Sequence, residues 1–295
     1  MSFPITATFI DEITYDIPSS NWSFEQWSKD LDYMQTVGID TLVFIRAGYG
    51  DRSVFPSEYL GTHYEDDLLG FILTEAEKRN MKVMVGGYLS NLSWNNGDAK
   101  TEVELNRNFI NEIWAKYGDR PAYGGWYIPQ ETSYDVFNIT EVMKGISYIC
   151  KDKSPELPVF ISPFFNAFDP NTAFTVEQHA EVWNNIFVKC GENIDICAFQ
   201  DGTVPIKNMR DYYIATKDVC KAHNIAHWVN AETFERDVRQ MYFPIPFSVL
   251  RRKLEMHKEY AEKIITFEFS HFLSPQSIFP SAKNLYDLYV KHYNK

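Results

Sequence analysis

The chain has 295 residues, 45% hydrophobic, 16% aromatic and 23% charged. That balance belongs to a folded globular protein and argues against a disordered one. Its 28 Lys and Arg face 40 Asp and Glu, a net charge of −12 with no basic cluster to grip a phosphate backbone, so nucleic acid is not an expected partner.

No apolar run reaches the roughly 18 residues of a membrane span, and no membrane partner is expected. The start, Met1-Ser2-Phe3-Pro4, lacks the basic and apolar regions of a signal peptide, which points to a cytoplasmic protein as the sequence stands. A chain from which a signal had been removed would look the same, and would be secreted or periplasmic. Cys150, Cys190, Cys197 and Cys220 form no CxxC pair and read as reduced thiols packed as small hydrophobes.

In chain order, eight short β-rich apolar runs alternate with helical stretches: 5–10, 41–46, 82–88, 123–129, 158–163, 195–199, 225–230 and 264–269. From the first to the eighth is 259 residues over seven intervals, 37 per unit, which suits one strand, one helix and two connections. Ser23 with Gln26 and Thr175 with Gln178 have capping-box spacing, and Gly38 and Asn80 stand where a left-handed residue stops a helix. Phe24, Trp27, Leu31 and Met34 form one apolar stripe on the first helix.

Helix-to-strand connections are mostly short, whereas the strand-to-helix segments 47–64, 89–100, 231–246 and 270–280 are long, polar and aromatic. Eight such units predict an α/β fold: a single (β/α)8 barrel over residues 1–295, with elaborated loops after strands 2, 3, 7 and 8. The active site is then expected at the C-terminal ends of the strands.

Ionisable or amide groups recur at those ends: Asp11 and Glu12, Arg46, Gln130 and Glu131, Gln200 and Asp201, Asn230 and Glu232, Glu268 and His271. Two-residue alternation predicts Trp228, Asn230 and Glu232 inward on strand 7 and Thr266, Glu268 and Ser270 inward on strand 8, and puts Arg46 on the face of Leu42 and Phe44. Glu131 and Glu232, from nearly opposite strands, are the catalytic candidates, because glycoside hydrolysis needs two carboxyl groups flanking the scissile bond. An apolar strand leads to Glu131, suiting a general acid, and Arg46 is placed to hold Glu232 ionised. Candidate substrate-binding residues are Glu12, Arg46, Tyr88, Trp94, Gln130, Gln200, Asp201, Asn230, Glu268 and His271. Trp22, Tyr49, Phe165, Phe234 and Tyr242 are further aromatic platforms in the same loops, while Trp126 and Trp228 read as barrel packing. His63, His179, His223, His227, His257 and His292 read as surface or satisfied core residues.

A Glu after strand 4 and another after strand 7 resemble the clan A retaining (β/α)8-barrel glycoside hydrolases. Tyr127-Ile128-Pro129-Gln130-Glu131 with Phe199-Gln200-Asp201-Gly202 also resembles a set of bacterial barrel proteins of undefined activity grouped with the glycoside hydrolases. The resemblance implies Glu131 as acid/base, Glu232 as nucleophile and Arg46 as the basic residue after strand 2. The chain departs from the clan in having Gln130 in place of an Asn, Gln200-Asp201 in place of a Tyr or His, and Phe269 and His271 where a Trp platform is common. Asp201 and Glu268 therefore stay open as the second carboxylate.

The expected function is hydrolysis of a neutral oligo- or polysaccharide without cofactor or metal. The rivals are a metal-dependent sugar isomerase or epimerase, using Glu131, Asp201, Glu232 and Glu268 as ligands, and a non-catalytic glycan-binding barrel. No HExxH, P-loop or GxSxG motif points elsewhere. No signal for an oligomeric state is legible.

Overall fold

The computed structural model of the chain describes residues 3–15, 17–61, 66–237 and 241–294. Eight strands, β1 (Ile5–Ile10), β2 (Thr41–Phe44), β3 (Lys82–Gly86), β4 (Tyr123–Tyr127), β5 (Val159–Ile161), β6 (Ile196–Gln200), β7 (Ala226–Asn230) and β8 (Lys263–Thr266), are all parallel and close on themselves. They follow one another around the barrel in sequence order, with β8 pairing β1. The helices between and after them are α1 (Phe24–Thr36), α2 (Leu68–Lys78), α3 (Ala99–Tyr117), α4 (Ile139–Lys153), α5 (Val176–Cys190), α6 (Ile206–Ala222), α7 (Phe247–His257) and α8 (Pro280–Tyr293). This is the expected (β/α)8 barrel, and the expected punctuation is in place. Both capping boxes form, and Gly38 and Asn80 take positive φ angles of 81° and 54°. Trp27, Leu31 and Met34 bury the inner stripe of α1, but Phe24 sits at the surface and stacks on Phe71 of α2.

Two cores follow from strand alternation. The side chains that face the helices make the large outer core, and a smaller inner core plugs the barrel with Phe9, Val43, Met84, Tyr127, Phe160 and Ile265 among others. Asn230 and Glu232 are inward as expected, whereas β8 has the opposite phase: Ile265 and Phe267 belong to the inner core and Ile264 to the outer one. The strand ends at Thr266, so counting back from Glu268 gave the wrong face. On β2 likewise, Leu42 and Phe44 face the helices while Arg46, two residues past the strand, turns inward.

The long loops build small layers over the strand ends. After β2, Gly48–Tyr49 pairs antiparallel with Arg52–Ser53 and parallel with Tyr88–Leu89 from the segment after β3. After β7, Phe234–Arg236 and Tyr242–Pro244 form a two-stranded flap. A short helix, Phe269–Phe272, follows β8. No helix is long and apolar enough to cross a membrane among the described residues.

Candidate active site

At the C-terminal end of the barrel, Arg46, Glu131, Gln200, Asn230 and Glu232 line one small cavity of about 80 Å³, walled by Ile45, Phe234, Arg236, Tyr242 and Phe267. Five sequence-predicted residues thus converge from β2, β4, β6 and β7, and two of the predicted aromatics, Phe234 and Tyr242, come from the flap. Larger grooves of about 830 and 780 Å³ lie outside, along α3 and α4 and at the opposite barrel end. They lack this convergence of carboxylates and amides at strand ends, which is what identifies a barrel site.

Glu131 is reached through a bulge. Gly124 is the extra residue between the pairs Val83 with Tyr123 and Met84 with Gly125, so the phase of β4 shifts and Tyr127 points into the barrel while Trp126 packs outside. The Tyr127 hydroxyl donates to Glu131 Oε1 at 2.8 Å. Arg46 Nη2 lies 3.9 Å from Glu131 Oε2, and its Nη1 donates to Thr14 Oγ1 at 3.1 Å and lies 4.0 Å from Asp11 Oδ2. The guanidinium therefore pairs with Glu131 and Asp11, not with Glu232.

Glu232 is set on a buried charge cluster. Its N–H donates to Asp201 Oδ1 at 3.0 Å and its C=O accepts from Lys253 Nζ at 2.8 Å. Asp201 in turn pairs with Lys253 at 2.5 Å and His257 at 2.9 Å. Burial pushes the Asp201 carboxyl up, but Lys253 and His257 outweigh it and hold it below its ordinary range. The Glu232 carboxyl is pushed up to about 7 by burial and by the adjacent Asp201 charge, against the smaller pulls of Lys253 and Arg236. Gly202 makes this placement possible: a Cβ there would lie 1.8 Å from Glu232 Oε2. Asn230 fixes its own amide by donating to Ser162 Oγ at 3.2 Å and accepting from Phe267 N–H at 3.0 Å, and Gln200 donates to Ser162 C=O at 2.7 Å.

The other sequence candidates turn away from the cavity. Asp201 lies beneath Glu232 with both oxygens engaged. Glu268 and His271 form a fully buried ion pair, with His271 also bonded to Pro18 C=O, so they tie the loop after β8 to the one after β1. Burial pushes the His271 imidazole down, but Glu268 outweighs it and raises it to about 9. Glu12 accepts from Ser19 and from the N–H groups of Ser20 and Asn21, organising its own loop. Gln130 donates to Tyr88 C=O and to Glu102 of α3, outside the barrel. Tyr88 packs on Phe109 and donates to Gly50 C=O, and Trp94 packs on Phe137. Among the further aromatics, Phe165 is buried against Phe199, Trp22 meets Trp27, and Tyr49 lies 5.6 Å from the Arg46 guanidinium. Of the histidines, His179 and His227 are buried core residues, His223 pairs with Asn184 at the surface, His292 packs against Tyr293, and His63 lies outside the described residues.

Sequence reasoning missed Tyr127, hidden by the bulge, and Arg236 and Phe267 on the cavity wall. It also missed the role of Lys253 and His257, whose signal was available. The two basic residues stand at i and i+4 among buried leucines of α7, a spacing that puts both on the core-facing side and calls for a buried acid.

Among the described residues no group of three or more His, Cys, Asp or Glu is arranged to hold a metal ion. Of the four ligands that the isomerase rival requires, Asp201 and Glu268 are spent on Lys253, His257 and His271.

A family described as a domain of unknown function, DUF4434, matches residues 5–279. The chain belongs to the DUF4434 family. Its fold is shared nearly completely with a putative alpha-L-fucosidase from Bacteroides thetaiotaomicron, at 39% identity and a TM-score of 0.95 over 99% of this chain and 94% of that one. At 13% identity, an endo-1,4-beta-D-mannanase from Thermotoga petrophila (TM-score 0.63, 90% of this chain, 88% of that one) shares the barrel. So does an intracellular xylanase from Thermoanaerobacterium saccharolyticum (TM-score 0.54, 90% and 85%). This DUF4434 chain thus shares its (β/α)8 barrel fold with these proteins. No curated protein sequence matches it.

Proposed function

We propose that this DUF4434 protein is a glycosidase that removes one terminal neutral sugar, an α-L-fucosyl residue, from an oligosaccharide, with Glu131 and Glu232 as its catalytic pair. The observation that carries the reading is the opening of both carboxylates, from β4 and β7, onto one cavity at the C-terminal end of the barrel. Two carboxyl groups across a sugar are the machinery of glycoside hydrolysis: one protonates the leaving oxygen while the other attacks the anomeric carbon or activates water. Amides at Asn230 and Gln200 supply groups for sugar hydroxyls.

Size and wall chemistry support the choice of substrate. A cavity of about 80 Å³ is far below the roughly 300 to 1,000 Å³ of sites that take drug-sized ligands, and the flap closes one side. That suits a single ring at a chain end better than an open cleft for a polysaccharide. Ile45, Phe234 and Phe267 offer an apolar wall for the methyl group of a 6-deoxy sugar, in line with the activity named for the Bacteroides relative. Mass spectrometry of digests of fucosylated oligosaccharides tests this. The expected product is free fucose and a chain shortened by one residue; internal fragments, or chains left intact, would contradict it.

A further inference from the structure

Resting on the glycosidase reading, we infer that the two carboxylates divide the work in the opposite sense to the clan A pattern: Glu131 is the nucleophile and Glu232 the proton donor. The partners of each group carry this.

Glu131 is supplied with a hydrogen-bond donor on one oxygen and a cation on the other. Tyr127 O–H donates to Oε1 at 2.8 Å, and Arg46 Nη2 lies 3.9 Å from Oε2. Both favour the ionised carboxylate, which only accepts. Burial and the Glu131 charge push the Tyr127 phenol well above its ordinary range, so it stays a donor throughout.

Glu232 faces the reverse environment. The group beneath it is the Asp201 carboxylate, whose charge is matched by Lys253, while His257 on the other Asp201 oxygen is held below its ordinary value by burial. The buried cluster is therefore neutral before Glu232 is counted, and ionising Glu232 adds a charge that cluster does not balance. Among the described residues, Arg46 and Arg236 line the same cavity with Glu131 across it, and Arg236 and Glu131 act on Glu232 in opposite directions. Burial and Asp201 dominate, lifting Glu232 to about 7, the range in which a general acid works at neutral pH.

In the first step a Glu131 oxygen bonds to the anomeric carbon as the bond to the leaving oxygen breaks. That oxygen keeps the bonding pair and takes the proton from Glu232. In the second step water attacks the anomeric carbon, its proton passes to the Glu232 carboxylate, and Glu131 leaves as carboxylate, so the sugar keeps its configuration.

The test uses the wild-type protein and a 2-deoxy-2-fluoro fucosyl fluoride, which traps a glycosyl-enzyme, followed by peptide mapping. An adduct on Glu131 with retained configuration of released fucose is the expected result. An adduct on Glu232, or inverted product without adduct, overturns the assignment while leaving the glycosidase reading intact. Absence of turnover on every terminal glycoside sinks the reading itself. A second pair of variants reads the same division by rate. Glu232→Ala is expected to lose about 10³-fold on an oligosaccharide but less than about tenfold in sugar transfer from a 4-nitrophenyl glycoside, whose leaving group needs no proton. Azide is expected to rescue it with a product of retained configuration. Glu131→Ala is expected to lose about 10³-fold on both substrates and to give azide product of inverted configuration. The opposite pattern overturns the assignment.

Discussion

In the proposed reaction Glu232 joins function to stability, because the burial that keeps a proton on it also makes its ionised form costly. Between pH 4.5 and about 7 the folded protein holds a proton that the unfolded chain has released, so stability falls as pH rises through that window. A raised carboxyl value gives this sign, the opposite of a salt-bridged acid. Glu232→Gln keeps the shape and removes the charge. It is expected to stabilise the protein at pH 8 by about 2 to 3 kcal/mol, roughly 5 °C in melting temperature, and to change little at pH 4.5. Calorimetry at the two pH values checks this; a variant less stable than wild type at pH 8 would contradict it. The same residues mark what was legible. Glu131, Glu232, Arg46, Gln200 and Asn230 were found because polar groups at strand tips converge wherever eight such tips form a ring. Glu12, Gln130, Glu268 and His271 occupy equivalent positions in the sequence, yet their side chains turn into the surrounding loop layer, and nothing local separates the two outcomes.

At the scale of elements, the site depends on two backbone features and one helix. The Gly124 bulge turns Tyr127 toward Glu131, and α7 brings Lys253 and His257 beneath Asp201. The short helix at 201–203 leaves Gly202 against the Glu232 carboxyl with no room for a side chain. Gly202→Ala is therefore expected to displace Glu232 and lower kcat/KM by about 10²-fold or more, while the far-ultraviolet circular dichroism stays that of wild type. Activity within a few-fold of wild type would show that the contact does not hold the carboxyl in place. Helix ends were well read in advance: capping boxes and left-handed stops depend on a few adjacent residues, and Ser23, Thr175, Gly38 and Asn80 all behave accordingly. The phase of β8 and the inward turn of Arg46 were not, since each depends on where the strand stops, which is set by its neighbours in the closed sheet.

For the molecule as a whole, the 37-residue period proved sufficient for the architecture, because each unit repeats the same step around the barrel: α2, α4 and α6 lie against the strand that follows them, β3, β5 and β7. Closure then comes from β1 pairing with β8, the two ends of the barrel sequence. Residues some 260 apart in sequence therefore share one ladder, and we expect a single calorimetric transition; two resolved transitions would contradict a one-domain chain. The flap after β7 and the narrow cavity it walls add what periodicity did not carry. The central claim is that Glu131 and Glu232 together perform glycoside hydrolysis there. Its most direct test is the steady-state rate of Glu131→Gln and Glu232→Gln, relative to the wild type, on a fucosylated oligosaccharide of the proposed class. Each variant is expected to lose at least about 10²-fold in kcat with its fold retained. Wild-type rates in both would contradict the account.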